Sequence, residues 1–440
     1  MKPSTTAYRI DIEGLRALAV LAVILNHVRD GLLNSGYLGV DIFFVISGYV
    51  ITASLQTSRD VPIGAFLLAF YTRRIKRIAP ALILCVGISS AALVLCDPDP
   101  AVSFKTGIFA LLGLANVYLY LEHINYFASD TAFNAFMHTW SLGVEEQFYL
   151  ILPVLILLVR PGRRLAGAVL ALSLLSLLLF ILLHKSDPQG SFYLIHTRFW
   201  ELGAGAAFAA WSFGRRKTVA RSALLTWQTA FLVVVIAFLA IRGIDQRLST
   251  LIIVASTLAV IGSPDRSVLL TNPVAKAIGQ LSYSLYLWHW PLLVLLRLSQ
   301  ETHWVLWPIY AAGVVGAALL SFHVVENPLR HKSWSRHAGA SLIYGGLASG
   351  TMIGVLYGGL ATLTHSNAPH LQSEAGKAYW EQPFLQLPSG KPHFPTCLAT
   401  EPDFPWRPET FADCTFRQSP TAMPRWSGSW EIPIPAIFRA

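Results

Sequence analysis

Apolar runs of about twenty residues recur through most of this chain, and they leave it few folds to choose from. "LAGAVLALSLLSLLLFILL" (165–183) and "LLTWQTAFLVVVIAFLAI" (224–241) are two of them. A helix of ~20 such residues spans the hydrocarbon core of a bilayer. In lipid the backbone must satisfy its own hydrogen bonds, so only helices and closed barrels cross. Barrel strands alternate polar and apolar residues, and these runs do not. The sequence therefore predicts an all-α polytopic membrane protein. Its composition agrees, with 13% charged residues against the ~25% of soluble domains. A net charge of +9 would suggest nucleic acid in a soluble protein. Here the basic residues are read as gathering in short loops between apolar runs, where they set orientation. No nucleic-acid module is present.

Apolar segments are read at 12–28, 38–57, 79–97, 104–121, 141–159, 165–184, 194–213, 224–241, 248–263, 278–298, 304–325 and 339–361. The N-terminus reads as an uncleaved first span, because no small-x-small site follows it. The densest basic clusters are Arg73–Arg77, Arg160–Arg164, Arg215–Arg221 and Arg330–His337. All should face the cytoplasm with the N-terminus. Three segments separate Arg77 from Arg160, and strict alternation would put these clusters on opposite faces. The conflict disappears if 104–121 does not cross. It holds Lys105, Gly107, Gly113 and Asn116, which suits a re-entrant or broken segment buried in protein. Ten crossings then precede residue 335, an eleventh helix lies within 336–361, and a short irregular tail at 362–440 falls outside. On the oxidising face Cys397 and Cys414 are a candidate disulfide, while Cys85 and Cys96 read as packing residues. No Cys/His pattern has zinc spacing, so no metal is expected.

Ionisable residues inside membrane segments are rare and mark function. Arg16 and His27 lie eleven positions apart in the first run. That is within ~20° of three helical turns and about 16 Å of rise. One face thus carries a fixed cation at one depth and a titratable base at another. Asp41 lies just inside the next run, near the depth of His27, where a carboxylate would orient the imidazole. Ser47 and Gly48 read as packing residues. Arg74 and Arg77, three apart, share a helix face, and paired guanidiniums suit phosphate. "HTWSLGVEEQFYLILP" (138–153) places Glu145 and Glu146 a turn inside an apolar helix, with Ser141 as its expected cap. Arg198 and Glu201 are spaced as an intrahelical pair. "GQLSYSLYLWHWPLLVLL" (279–296) gathers Tyr283, Tyr286, Trp288, His289 and Trp290. These suit a ligand pocket or an aromatic belt equally. Glu326 and Arg330 read as a helix-end pair.

In order, the motifs "IEGLRALAVLAVILNH", "GYLGVDIFFVISGYVIT", "FYTRRIKRIAP", "HTWSLGVEEQFYLILP", "FWELGAGA", "LSYSLYLWHWP" and "VVENPLR" resemble the acyltransferase 3 family of integral membrane acyltransferases. The resemblance covers about residues 8–335. The family's basic-x10-His pattern falls on Arg16 and His27, and its Arg-x-x-Arg pattern on Arg74 and Arg77. The resemblance implies a ten-helix bundle in the bacterial inner membrane. It implies an O-acetyltransferase that takes an acetyl or short acyl group from cytoplasmic acyl-CoA. The acceptor would be a hydroxyl of an envelope glycan or glycolipid: lipopolysaccharide O-antigen, peptidoglycan or exopolysaccharide. On this reading Arg16, Arg74 and Arg77 hold the donor. His27, Asp41, Glu145 and Glu146 are catalytic, and Ser141, Tyr283 and His289 bind substrate. The eleventh helix and Pro-rich stretch resemble the linker to a fused SGNH-type domain. No Gly-Asp-Ser block follows, so the tail is expected to be a truncated form of that linker. A transporter or flippase of a glycan precursor is the rival reading, since intramembrane charges also mark transport paths.

Overall fold

The computed structural model describes residues 9–28, 33–56, 61–97, 99–126, 130–159, 162–213, 222–223, 226–241, 244–263, 266–299, 305–335, 339–365, 385–386 and 392–393. The chain divides into two units, 1–367 and 368–440. In the second, only the antiparallel pair Leu385–Gln386 and Pro392–His393 is described. Cys397, Cys414, Arg160 and the 215–221 cluster lie outside the described residues.

The first unit is helical. It opens with α1 (Ile10–Val28), α2 (Gly39–Gln56) and α3 (Ile63–Cys96). Two short helices follow, α4 (Ala101–Leu111) and α5 (Ala115–Leu121), then α6 (Trp140–Leu158) and α7 (Arg163–Ser186). The short α8 (Pro188–Tyr193) leads to α9 (Ile195–Trp211), α10 (Trp227–Ala240) and α11 (Gln246–Gly262). One turn, α12 (Val268–Thr271), precedes α13 (Pro273–Leu298) and α14 (Leu306–Leu320). A π-helical stretch, Ser321–Glu326, joins α14 to α15 (Asn327–His331), and α16 (Ala340–His365) follows. Among the described residues, six helical stretches are long and apolar enough to cross a membrane. They include α2, α3, α6, α7 and α16.

Local chemistry explains several boundaries. Asn272 caps α13 by accepting from the Ala275 amide at 2.8 Å, with Pro273 at the first helical position, where its missing N–H costs nothing. Asp11 and Glu13 stand in the first turn of α1, at the positive end of the helix dipole. The expected broken segment is two helices, split at Gly113, whose φ is +70°. Only glycine adopts that conformation cheaply. One expectation changes here. α3 begins at Ile63, so Arg73–Arg77 lie within a continuous 34-residue helix and not in a loop.

Backbones approach closely where glycine removes the side chain. A methyl on Gly48 would strike the Leu202 carbonyl, and one on Gly205 the Val45 carbonyl. α2 and α9 cross at these two residues, so the small-residue run of α9 packs as expected. Gly279 of α13 sits on the backbone of Glu13 in α1. The contacts also fix helix directions. Near its start α13 meets the start of α1 at Glu13, and further along His289 meets His27. Tyr283 reaches Ile78 of α3, and Leu287 reaches Cys85. α13 therefore runs in the same sense as both α1 and α3. Against α6 it runs oppositely, because Ser141 meets Tyr286 while His138 meets His289. Leu174, Leu175 and Leu178 of α7 point outward, as side chains facing lipid tails do.

Candidate functional site

A cavity opens between α1, α2, α3, α6 and α13. Arg16, Arg74, Arg77, Ser47, Glu145 and Tyr149 line it, and Ser141, Tyr283 and Tyr286 complete its wall. Helical spacing brings Arg74 and Arg77 to the same side of α3. The guanidinium of Arg74 lies over the Phe70 and Tyr149 rings, 5.9 and 5.7 Å from their centroids. Arg16 lies 3.6 Å from Glu13. Glu145 accepts from Ser47 Oγ at 2.9 Å and Tyr149 Oη at 2.8 Å. The lining thus holds three guanidiniums and one carboxylate, and Glu13 beside Arg16 leaves at least one positive charge over. The buried Nε atoms of Arg16 and Arg74 have no hydrogen-bond partner. Guanidinium donors facing a cavity match the acceptors of a polyanion.

A second polar centre lies beyond the cavity. His27 is not part of the cavity wall. Its Nδ1 is 3.2 Å from His289 Nε2, and its Nε2 is 2.8 Å from Tyr126 Oη. The His27 and His289 rings stack with an 8° interplanar angle, and Trp290 meets the His27 ring edge-on at 4.6 Å. Two layers of side chains, from α13, α6 and the turn just before α6, separate His27 from the cavity. In one, Ser141 Oγ and Tyr286 Oη are hydrogen-bonded at 2.7 Å. In the other, the His138 ring stands 5.5 Å from that of His289. Tyr286 Oη donates to the His138 carbonyl at 2.7 Å, tying the layers together. Between the cavity and His27 thus lie Ser141, Tyr286, His138 and His289, polar side chains linked in part by hydrogen bonds.

The expected site residues divide accordingly. Arg16, Arg74, Arg77, Glu145, Ser141 and Tyr283 meet at the cavity. His27 and His289 form the second centre. Asp41 belongs to neither. Its carboxylate lies 3.1 Å from Arg198 Nη1, which also binds Glu201 at 2.8 Å. Asp41 therefore does not orient His27, because a buried guanidinium 157 residues away claims it. Arg198–Glu201 is the intrahelical pair expected. Glu146 stands against Gly113 at the α4–α5 break, where a β-carbon would collide with its carboxylate. Ser141 is not the cap of α6, which begins one residue earlier at Trp140; its hydroxyl turns to Tyr286. Glu326 accepts from Ser284 at 2.8 Å. The aromatic run of α13 is mostly core, since Tyr286, Trp288, His289 and Trp290 are buried. An outer belt is thus excluded for those four.

Two residues of this arrangement were not legible. Tyr126 sits in a loop without periodicity, and nothing nearby in sequence pairs it with His27. His138 opens the unusual 138–153 stretch, and that position was its only signal. His138 is 1% exposed, and its ring meets the Leu287 backbone and the rings of Tyr286 and His289. Among the described residues no group of His, Cys, Asp or Glu is arranged to hold a metal.

Fold and site together define a polytopic helical membrane protein with a cationic cavity and, beyond its wall, a half-buried histidine. The acyltransferase 3 family model, an acyltransferase domain, matches residues 9–326, and the chain belongs to that family. It is 30% identical over 356 residues to the "O-acetyltransferase OatA" of Staphylococcus aureus (strain NCTC 8325 / PS 47), covering 75% of this chain and 58% of the relative. It is 31% identical over 353 residues to the "Putative peptidoglycan O-acetyltransferase YrhL" of Bacillus subtilis (strain 168), covering 74% and 56%. It is 30% identical over 349 residues to the "Peptidoglycan O-acetyltransferase OatA" of Listeria monocytogenes serovar 1/2a, covering 73% and 56%. The chain thus matches a little over half the length of these relatives. No solved structure matches it.

Proposed function

We propose that this chain transfers an acetyl or similarly short acyl group from cytoplasmic acyl-CoA to a hydroxyl of a cell-envelope glycan, with peptidoglycan the first acceptor to test. Three cavity arginines, with a histidine facing a hydroxyl two side-chain layers away, carry this reading. The relatives' names supply the acceptor class.

Arg16, Arg74 and Arg77 would hold the phosphates of the donor, whose charge answers the surplus in the cavity. The thioester end then points past Ser141 and Tyr286 toward His27. His27 acts as general base at Nε2, where Tyr126 Oη marks the place of the attacking hydroxyl. That oxygen forms a bond to the acyl carbon as the carbon–sulfur bond breaks. The hydroxyl proton goes to His27 and then to the departing thiolate, which leaves as the CoA thiol. Histidine suits this exchange because its ordinary proton affinity lies near neutrality. Multiple crossings of the bacterial inner membrane would place donor and acceptor on opposite sides of the protein.

The test uses purified protein in proteoliposomes with radiolabelled acetyl-CoA and peptidoglycan fragments. Wild type should transfer label. His27→Ala should lose at least ~10²-fold, the usual contribution of a general base, while remaining folded and inserted. Normal transfer by that variant rejects the base. Folded wild type that turns over no acyl-CoA rejects the donor.

A further inference from the structure

Three consecutive contacts around His27 determine where its protons sit. His289 Nδ1 lies 2.6 Å from the Tyr286 carbonyl oxygen. A carbonyl oxygen only accepts, so Nδ1 carries a hydrogen. His289 is fully buried, and among the described residues no carboxylate hydrogen-bonds its ring, so it is a neutral imidazole. Its Nε2 is then a lone pair and only an acceptor. His27 Nδ1 stands 3.2 Å from that lone pair and must be the donor. The Nε2 of His27 is thereby left bare, and Tyr126 Oη, at 2.8 Å, donates to it.

The surroundings hold this order in place. Tyr310 Oη donates to the His289 carbonyl at 3.0 Å and anchors that turn of α13. Trp290 packs edge-on against the His27 ring, and its indole Nε1 donates to the Asn134 carbonyl at 2.7 Å. Arg297 Nη2 donates to the His27 carbonyl at 3.2 Å. It also lies over the Trp290 ring, 5.2 Å from its centroid. The neighbouring His138 ring faces His289 across 5.5 Å. With the rings stacked, one end tied to the Tyr286 carbonyl and the other to the Tyr126 hydroxyl, His27 cannot exchange tautomers without breaking the sequence of contacts.

We infer that His289 is a positioning residue and not a substrate ligand: it accepts the Nδ1 hydrogen of His27 and so presents the Nε2 lone pair to the hydroxyl where acyl transfer begins. A buried carboxylate does this for the histidine of a hydrolase triad. In this chain the sequence offered Asp41 for the task, but Asp41 is committed to Arg198. A neutral imidazole fixed by a backbone carbonyl takes its place. When His27 accepts a proton, the Nδ1–H···Nε2 bond becomes charge-assisted and stronger, so the pair also favours the cationic state formed during transfer. This assignment rests on the reading of His27 as the base, and its first measurement does not require turnover.

The experiment is solid-state nitrogen NMR of the full chain, labelled at histidine, in proteoliposomes near neutral pH. The His27 signals are identified by their loss in His27→Asn. Wild-type His27 should show a protonated Nδ1 and a bare Nε2. In His289→Ala that preference should disappear. Its kcat for acetyl transfer should fall on the order of 10²-fold, as for loss of an orienting partner, with the KM for acetyl-CoA little changed. His289→Gln provides a carbonyl acceptor at the same place and should restore the wild-type tautomer and part of the kcat. Wild-type His27 protonated at Nε2 overturns the assignment, as does a His289→Ala protein with unchanged tautomer and kcat. If His27 has the stated tautomer but wild type turns over no acyl-CoA, the donor reading fails and this one stands.

Discussion

Arg198 illustrates how far a single side chain reaches in a buried setting. Its guanidinium is 2% exposed and serves two carboxylates, Asp41 and Glu201. It also lies over the rings of Trp140, Phe180 and Phe192. Removing one partner of a buried pair costs about 3–5 kcal/mol, because the remaining charge stays uncompensated. Arg198→Gln should therefore lower the melting temperature sharply or abolish the monodisperse peak in detergent chromatography. An unchanged melting curve would show that the triad does not hold the bundle. The cavity arginines should behave differently, since they border free space. Loss of one charged hydrogen bond is worth about 1.5–3 kcal/mol, so Arg77→Gln should raise the KM for acetyl-CoA by about tenfold or more. Its kcat at saturating donor should change less, and kinetics on reconstituted protein will show the division. The ionisable residues were visible in the sequence as anomalies in apolar runs. Their partners were not, because Asp41 and Arg198 meet only when α2 and α9 cross.

At the scale of helices, glycine positions separate tight crossings from open faces. A β-carbon at Gly48 meets the Leu202 carbonyl, whereas at Gly350 it meets nothing within 4 Å. Gly48→Ala should destabilise by at least ~1–3 kcal/mol through overpacking. Gly350→Ala should be neutral or gain about 0.4–1 kcal/mol, from a less flexible unfolded chain. Paired thermal melts in detergent test the contrast, and equal melting temperatures would contradict it. The α4–α5 break was legible because glycine and asparagine interrupt an apolar run. Its seat against Glu146 was not, since only packing brings α6 to that turn.

For the whole molecule, orientation is the open question that physical chemistry answers most directly. By the positive-inside rule Arg73–Arg77 and Arg330 are expected on the cytoplasmic side. Lys76 Nζ donates to the Lys332 carbonyl at 3.1 Å and lies over Trp334, so these two basic regions do share one end of the bundle. In a cysteine-free background, a membrane-impermeant thiol reagent should reach Ser333→Cys only in inverted vesicles. It should reach Gln189→Cys only in right-side-out vesicles. Labelling of both from one side would overturn the orientation. The helix directions bear on the same point, because α1, α3 and α13 run in one sense and an even number of reversals lies between α3 and α13.

Apolar run length and the order of the motifs were enough to establish a helical membrane protein of the acyltransferase 3 family, because hydrophobic burial in lipid acts on each segment separately. They also marked Arg16, His27, Arg74, Arg77 and Glu145, since an ionisable group in an apolar run is costly wherever the helix lands. Tertiary structure alone decided which of these groups meet. It sent Asp41 to Arg198, set Glu146 against a glycine turn, and put His289 and Tyr126 on the two nitrogens of His27. The hydrogen bonds among these join residues 99 to 262 positions apart, and directional contacts at that separation depend on how helices cross, which no local pattern encodes.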